Sequence, residues 1–323
     1  MNADERWMGA AAALGERGRG RTAPNPNVGC LIVKDDIVVG RGWTQPGGRP
    51  HAEQMALKEA GDAAAGATAY VTLEPCAHVS ARGGACADAL VKVGVRRVVA
   101  ALRDPYPPVD GRGFERLREA GIEIRIGPGA EAAARSMAGF LARQRLGRPL
   151  VTLKLAMSLD GRIALPSGES RWISGEDARA HVHGQRARAD MILVGRATLE
   201  ADQPALDVRL PGLEERAPRR ALLTRDKAPQ GWIGLDAPQA VFGLHDVNDL
   251  LVEGGSATAS AFLAADLIDR LLLYRAPILI GEGRQSVGHV GLASLADAHG
   301  RWRLAESRAL GIDRLEVYER VRD

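Results

Sequence analysis

Cysteine is scarce in this chain. Three cysteines in 323 residues cannot build a disulfide framework, and the odd number points to metal or free thiol in a reducing compartment. Aromatic residues make up only 4% of the chain and the formal net charge is a modest +3, so both the stacking surface and the basic stripe of a nucleic-acid binder are missing. A small acidic substrate such as a phosphate ester suits that slight excess equally well. No apolar run reaches the roughly 18 residues that a membrane span needs. The first residues carry Asp4 and Glu5 instead of the basic-then-apolar pattern of a secretion signal. Repeats and low-complexity tracts are also lacking. A cytoplasmic protein acting on small molecules is the expectation.

What is present is enough chain for two domains. With 46% hydrophobic and 26% charged residues, each can bury an ordinary core. Residues 3–17 show helical spacing, with Trp7, Met8, Ala11 and Leu14 on one side. A proline-marked loop over 22–27 follows, then a hairpin over 28–40. A helix is expected after Pro50, closed by Gly61, and a strand over 67–73 leads to Glu74-Pro75-Cys76. Beyond Cys86 the pattern reads helix, strand (95–102), helix (114–120), strand (122–126) and one helix over 130–145. Gly147-Arg148-Pro149 marks a boundary, giving domains 1–146 and 149–323. The second opens with a strand over 150–156 and a polar turn. A helix capped by Ser174, with Asp177 three residues on, comes next. Strands are expected over 190–196, 221–224 and 249–252. Strands alternating with helices make both halves α/β.

Chemistry concentrates at Pro50-His51-Ala52-Glu53, Glu74-Pro75-Cys76 and Cys86. Zinc takes N and S donors in a tetrahedron, and a catalytic site uses three protein ligands and keeps the fourth position for water. His51, Cys76 and Cys86 supply that set, and Glu53 is left free to move protons for the acidified water. The pattern matches the zinc-deaminase signature except for the gap between its cysteines, and so implies hydrolytic deamination. His78 is a competing ligand; Cys86 is preferred because it fits the signature. Cys76 is expected at a helix start, where the dipole favours its thiolate. Cys30, inside an apolar strand, reads as a small buried hydrophobe. Asn25, between prolines, could read a ring amide of the substrate or form an Asx-type turn.

In the second half Arg179, His181, His183, Arg186 and Arg188 give one helix a basic face, from which a phosphate-bearing substrate would want one or two residues. Val252-Glu253-Gly254-Gly255 reads as strand, turn and helix start, a place where backbone N–H groups can approach a phosphate. A polar, proline-marked loop holds Thr198, Asp202, Leu206 and Arg209.

Thr22-x-Pro-Asn-Pro-x-Val-Gly29, His51-Ala-Glu53, Val71-Thr-Leu-Glu-Pro-Cys76, Lys154-x-Ala-x-Ser-Leu-Asp-Gly-Arg162, Trp172-Ile-Ser174 and Val252-Glu-Gly-Gly255 occur in this order. In them the chain resembles the bifunctional pyrimidine deaminase/reductase family of riboflavin biosynthesis, the RibD type, over nearly its whole length. The resemblance implies a cytidine-deaminase-like three-layer α/β/α domain followed by a dihydrofolate-reductase-like α/β domain. The first would deaminate a diaminohydroxyphosphoribosylaminopyrimidine and the second would use NADPH to reduce the product's ribosyl group to ribityl. It implies zinc on His51, Cys76 and Cys86, with Glu53 as proton shuttle. Ala156, Trp172, Thr198, Asp202, Thr224 and Gly255 would line the NADPH site. Asn25, Ser170, Arg186, Leu206, Arg209 and Glu253 would meet substrate, and a homo-oligomer, dimer or tetramer, is expected.

Three features depart from the family pattern. Nine residues instead of eight separate Cys76 from Cys86, and Thr44 stands where many members carry histidine. The stretch between Thr224 and Glu253 is short by a strand-helix unit, which would bare one sheet face and thin the cofactor site. That shortening motivates an alternative: a deaminase carrying a reductase-like module that does not reduce.

Overall fold

A computed structural model describes residues 2–78 and 83–322. The chain divides into two compact units, Met1–Gly147 and Arg148–Asp323. No helix among the described residues is long and apolar enough to cross a membrane.

The first unit runs α1 (Ala3–Gly15), β1 (Gly29–Lys34), β2 (Ile37–Trp43), α2 (Ala52–Ala60), β3 (Thr68–Val71), α3 (Cys86–Val93), β4 (Arg97–Ala100), α4 (Arg112–Glu119), β5 (Glu123–Ile126), α5 (Ala130–Ser136) and α6 (Ala138–Leu146). Its five-stranded sheet has the order β2-β1-β3-β4-β5. The hairpin side is antiparallel, while β3, β4 and β5 are parallel. Strands β1, β3 and β4 are almost wholly buried, which explains their continuous apolar composition. Helix α2 lies backbone-close on β2 because Gly40 and Gly42 carry no side chain. A Cβ at those positions would sit 2.2 Å from the Ala56 carbonyl oxygen and 2.0 Å from that of Ala52. That close approach sets the depth at which His51 and Glu53 enter the unit.

Two expectations for this unit need correction. The stretch 130–145 is two helices, broken at Met137, because the buried Asn27 amide donates to the Ser136 carbonyl (3.3 Å) and hydroxyl (3.0 Å) there. Cys76 lies in irregular chain, not at a helix start. Its segment is pinned by Glu74, whose buried carboxylate accepts the backbone N–H groups of Asp104, Gly111, Gly113 and Phe114.

The second unit runs β6 (Leu150–Met157), β7 (Arg162–Ala164), α7 (Glu176–Arg186), β8 (Met191–Gly195), α8 (Arg196–Asp202), β9 (Arg219–Leu223), β10 (Ile233–Leu235), β11 (Asp249–Val252), α9 (Ser256–Ala264), β12 (Arg270–Arg275), β13 (Arg284–Gln285), β14 (Trp302–Leu310) and β15 (Asp313–Arg320). Its eight-stranded sheet has the order β10-β9-β8-β11-β6-β12-β15-β14. It is parallel from β10 to β12 and antiparallel beyond. Separate apolar clusters cover its faces, one around Leu153, Met191 and Phe262 and another around Ile192, Val194 and Leu222. At the unit's start the buried Arg148 grips Asp269 through two bonds of 2.6 and 2.8 Å. Asp269 also accepts the Val151 N–H and an Arg322 bond.

The shortened stretch does not bare a sheet face. It holds strand β10 and a single 3₁₀ segment, Pro238–Gly243, and it buries Leu235, Val241, Leu244 and Val247. Ser174 does not cap α7 either. Gly175 occupies the cap position, and its N–H donates to the Asp313 carboxylate (2.7 Å) at the start of β15.

Candidate active sites

In the first unit the His51, Cys76 and Cys86 donor atoms lie within 4.8 Å of one another. His51 Nδ1 is 3.3 Å from Cys86 Sγ and 3.6 Å from Cys76 Sγ. A tetrahedral zinc with its usual bond lengths separates N and S donors by about 3.5 Å, so the trio fits that ion. Two supports hold it in place. The His51 N–H donates to the Gln54 side chain (3.0 Å), and the Cys86 N–H donates to Cys76 Sγ (3.3 Å).

The Cys86 thiol shares its proton with Cys76. This contact holds the Cys76 thiol down against the push of burial and drives that of Cys86 up. Glu53, one residue into α2, is buried against the same sulfur atoms, and burial pushes its carboxyl up to about 6 against the opposing pull of His51. A carboxyl that titrates near neutrality beside these three donors can both accept and return a proton.

His78 stays outside the trio, edge-on to Tyr106 with ring centroids 6.4 Å apart. Asn25 donates to the Gly48 carbonyl (3.0 Å), two residues before Pro50-His51. Gly48 has φ +83°, and a Cβ there would meet the Asn25 side chain at 2.6 Å, so the amide is lodged at the loop that delivers the histidine. Thr44 is buried, and its hydroxyl accepts the Val28 N–H (3.0 Å). Of the altered loop between the cysteines, residues 79–82 lie outside the described residues. Cys30 is fully buried in β1, as expected of a small hydrophobe.

In the second unit the chain leaves β8 towards β9 but leaves β11 towards β12 on the other side. Ligands of open parallel sheets bind outside the carboxyl ends at such a reversal. Thr198 and Gly255 meet there, the Gly255 N–H donating to Thr198 Oγ1 (3.3 Å) at the start of α9. Gly254 keeps the turn tight, since a Cβ would come within 2.5 Å of Thr258. This cradle, a bare backbone turn at a helix start, fits a dinucleotide phosphate. Thr224 stands one strand further out and accepts from Arg196. Ser170 and Asp202 line one shallow cavity with Arg171 and Gln203. Trp172 is exposed, with the Arg179 guanidinium 4.7 Å from its ring centroid.

On the other side of β11, the Arg186 Nε and Nη2 groups donate to Glu253 at 2.7 and 2.9 Å, and Lys154 Nζ is 3.8 Å away. The three are buried together, near Ala156 on the same strand as Lys154. Burial opposes charge on Glu253, but Lys154 and Arg186 outweigh it and hold the carboxyl below its usual range. Burial lowers the Lys154 ammonium, with Glu253 resisting. Arg186 is therefore bound to a carboxylate, not free on a basic helix face. Leu206 is buried with φ +53°, and Arg209 is exposed, 3.3 Å from Asp207. Lys154 and Glu74 received no role from the sequence. A lysine inside an alternating apolar strand was the available signal for the first, while nothing local marked the second.

The cytidine and deoxycytidylate deaminase zinc-binding region matches residues 1–102, and the RibD C-terminal domain matches residues 149–315. The RibD riboflavin biosynthesis protein of Escherichia coli K12 is 40% identical, covering 96% of this chain and 97% of its own. The solved RibD of Acinetobacter baumannii (form 1) is 38% identical with a TM-score of 0.90, covering 99% of both chains. A Thermotoga maritima diaminohydroxyphosphoribosylaminopyrimidine deaminase/5-amino-6-(5-phosphoribosylamino)uracil reductase is 30% identical with a TM-score of 0.90, covering 98% of this chain and 99% of that one. Fold and site together define a zinc-dependent cytidine-deaminase-like domain fused to a dihydrofolate-reductase-like domain that uses NADPH. The chain belongs to the RibD family of bifunctional riboflavin biosynthesis enzymes. Coverage at full length in relatives and solved structures argues against a deaminase with an inert second half.

Proposed function

We propose that the first unit hydrolyses 2,5-diamino-6-(5-phosphoribosylamino)pyrimidin-4(3H)-one to 5-amino-6-(5-phosphoribosylamino)uracil, with water entering and ammonia leaving. The second unit then reduces the product's ribosyl group to ribityl. The observation that carries the reading is the convergence of His51, Cys76 and Cys86 beside the buried Glu53. Zinc, when bound by these three, supplies a Lewis acid that activates water. Glu53 takes the proton released as water adds to the ring carbon and delivers it to the departing amino group. Asn25 holds the loop facing the ring.

In the second unit NADPH supplies the hydride, and the protein aligns and shields the partners. Thr198, Thr224 and Gly255 hold the cofactor, with Ala156, Trp172 and Asp202 beside it. Ser170, Leu206 and Arg209 meet the substrate, and Arg186 orients Glu253 towards the reacting sugar. The thiols of the zinc trio must stay reduced, which supports a cytoplasmic location. Exposed Leu159, Leu279 and Ile312 on the second unit support a homo-oligomer, dimer or tetramer.

Purified protein given the diaminopyrimidine substrate, with and without NADPH, tests both steps. The uracil should accumulate without NADPH, and the ribityl product should appear only with it. Zinc-free protein that still deaminates, with Glu53→Ala unimpaired, would sink the first half of the proposal.

A further inference from the structure

Arg196 has no part in the reading above. It follows the carboxyl end of β8 and donates through Nε (3.0 Å) and Nη2 (2.6 Å) to Thr224 Oγ1, just beyond β9. Asp226 (3.3 Å) and Glu200 (3.6 Å) flank it, but their side chains are 76% and 64% exposed, so water screens both counter-charges. The Arg196 side chain is 36% exposed and open to a ligand.

The order of strands fixes what that ligand is. The buried Lys154–Glu253–Arg186 group lies at β6 and β11, and the phosphate cradle at Gly255 follows β11. The next strands on the far side are β8 and β9. A dinucleotide with its nicotinamide beside Glu253 and its diphosphate at Gly255 must lay its adenosine end over β8 and β9. NADPH differs from NADH only by the phosphate on the adenosine ribose. A guanidinium binds phosphate through paired charge-assisted hydrogen bonds, and a nearby arginine is a common way to accommodate that group in α/β sheets.

We infer that Arg196, held by Thr224, binds the adenosine 2′-phosphate and makes the second unit select NADPH over NADH. This rests on the strand-end crevice being the cofactor site. Replacing Arg196 removes hydrogen bonds to a charged group, so NADPH affinity should fall on the order of 10–100-fold.

The test is fluorescence titration of the full chain and of Arg196→Ala with NADPH and with NADH, plus calorimetry with adenosine 2′-monophosphate and 5′-monophosphate. In the variant the dissociation constant for NADPH should rise while that for NADH stays within about twofold. Binding of the 2′-monophosphate should fade and that of the 5′-monophosphate persist. Arg196→Lys should keep part of the preference as a point charge, and an unchanged thermal melt without nucleotide reports an intact fold. Equal losses for both dinucleotides overturn the inference, as does a preference for NADPH that survives in Arg196→Ala. Wild-type protein that binds both dinucleotides equally overturns this inference alone. Wild-type protein that binds neither takes the cofactor reading down with it.

Discussion

In the first unit His51, Cys76, Cys86 and Glu53 come from segments that begin or end beside a single sheet, and backbone N–H groups hold them there. In the second unit Lys154, Arg186 and Glu253 come from β6, α7 and the end of β11, and they hold one another through charge. The zinc corner is positioned by the chain's path and the reductase crevice by side chains neutralising side chains. Damage should therefore spread differently. A change in the corner should touch chemistry or metal, while a change in the crevice should also touch stability.

The largest effect is expected at Glu53. Replacing it with Gln should lower deamination on the order of 10³-fold with zinc content unchanged, because only proton transfer is removed. Metal analysis beside a deamination assay checks this, and loss of zinc would show that Glu53 supports the corner instead of serving it.

Glu253→Ala should destabilise the second unit by about 3–5 kcal/mol, since it leaves Lys154 and Arg186 buried without their carboxylate. Denaturant melts would show it. The native carboxyl titrates below the unfolded value of 4.5, so its stabilisation is present above that pH and is lost as pH falls through the folded value. The variant's deficit should accordingly shrink in acid.

A smaller effect is expected for Glu74→Gln. The amide turns its NH₂ towards backbone donors that the carboxylate accepted, loosening the Cys76 segment. Zinc affinity should fall about 10–100-fold in chelator competition, with NADPH-dependent reduction untouched. A reductase that failed too would break the proposed separation of the two supports.

The smallest effect belongs to Asp190, whose carboxylate accepts the Asn248 and Asp249 N–H groups at 2.9 and 2.8 Å. Burial, and then Asp249, push its carboxyl from 3.8 up to about 6. Its stabilisation is complete below 3.8 and is lost as pH rises through about 6. Asp190→Asn keeps an acceptor and cannot ionise. It should match the native melt near pH 4 and exceed it at pH 8 by on the order of 1–2 kcal/mol.

This contrast also explains how far the sequence could be read. Metal-binding donors and a neighbouring carboxylate fall in short motifs, and their chemistry demands particular residue types, so His51, Glu53, Cys76 and Cys86 are legible in the sequence itself. Parallel strands showed as apolar runs for the same local reason. Long-range partners were invisible: Asn27 reaching Ser136, Asp313 capping α7, and Arg186 turned onto Glu253. The shortened stretch misled because a missing helix suggests a bare sheet, whereas Val241 and Leu244 fill that face from a single turn. Side-chain identity records what a residue can do, and the fold decides which neighbour it does it with.

Arg148 bears on where the chain can be divided. The punctuation of the sequence places the cut at Pro149, yet the guanidinium just before it closes two bonds on Asp269, which also holds the start of strand β6 and the C-terminal Arg322. Through Asp269, Arg148 thus ties the opening of the second unit to its close, as a clasp joins the ends of a necklace. An isolated reductase fragment begun at Arg148 should keep that clasp, and one begun a residue later should fray at both ends. Limited proteolysis of the two fragments would tell them apart.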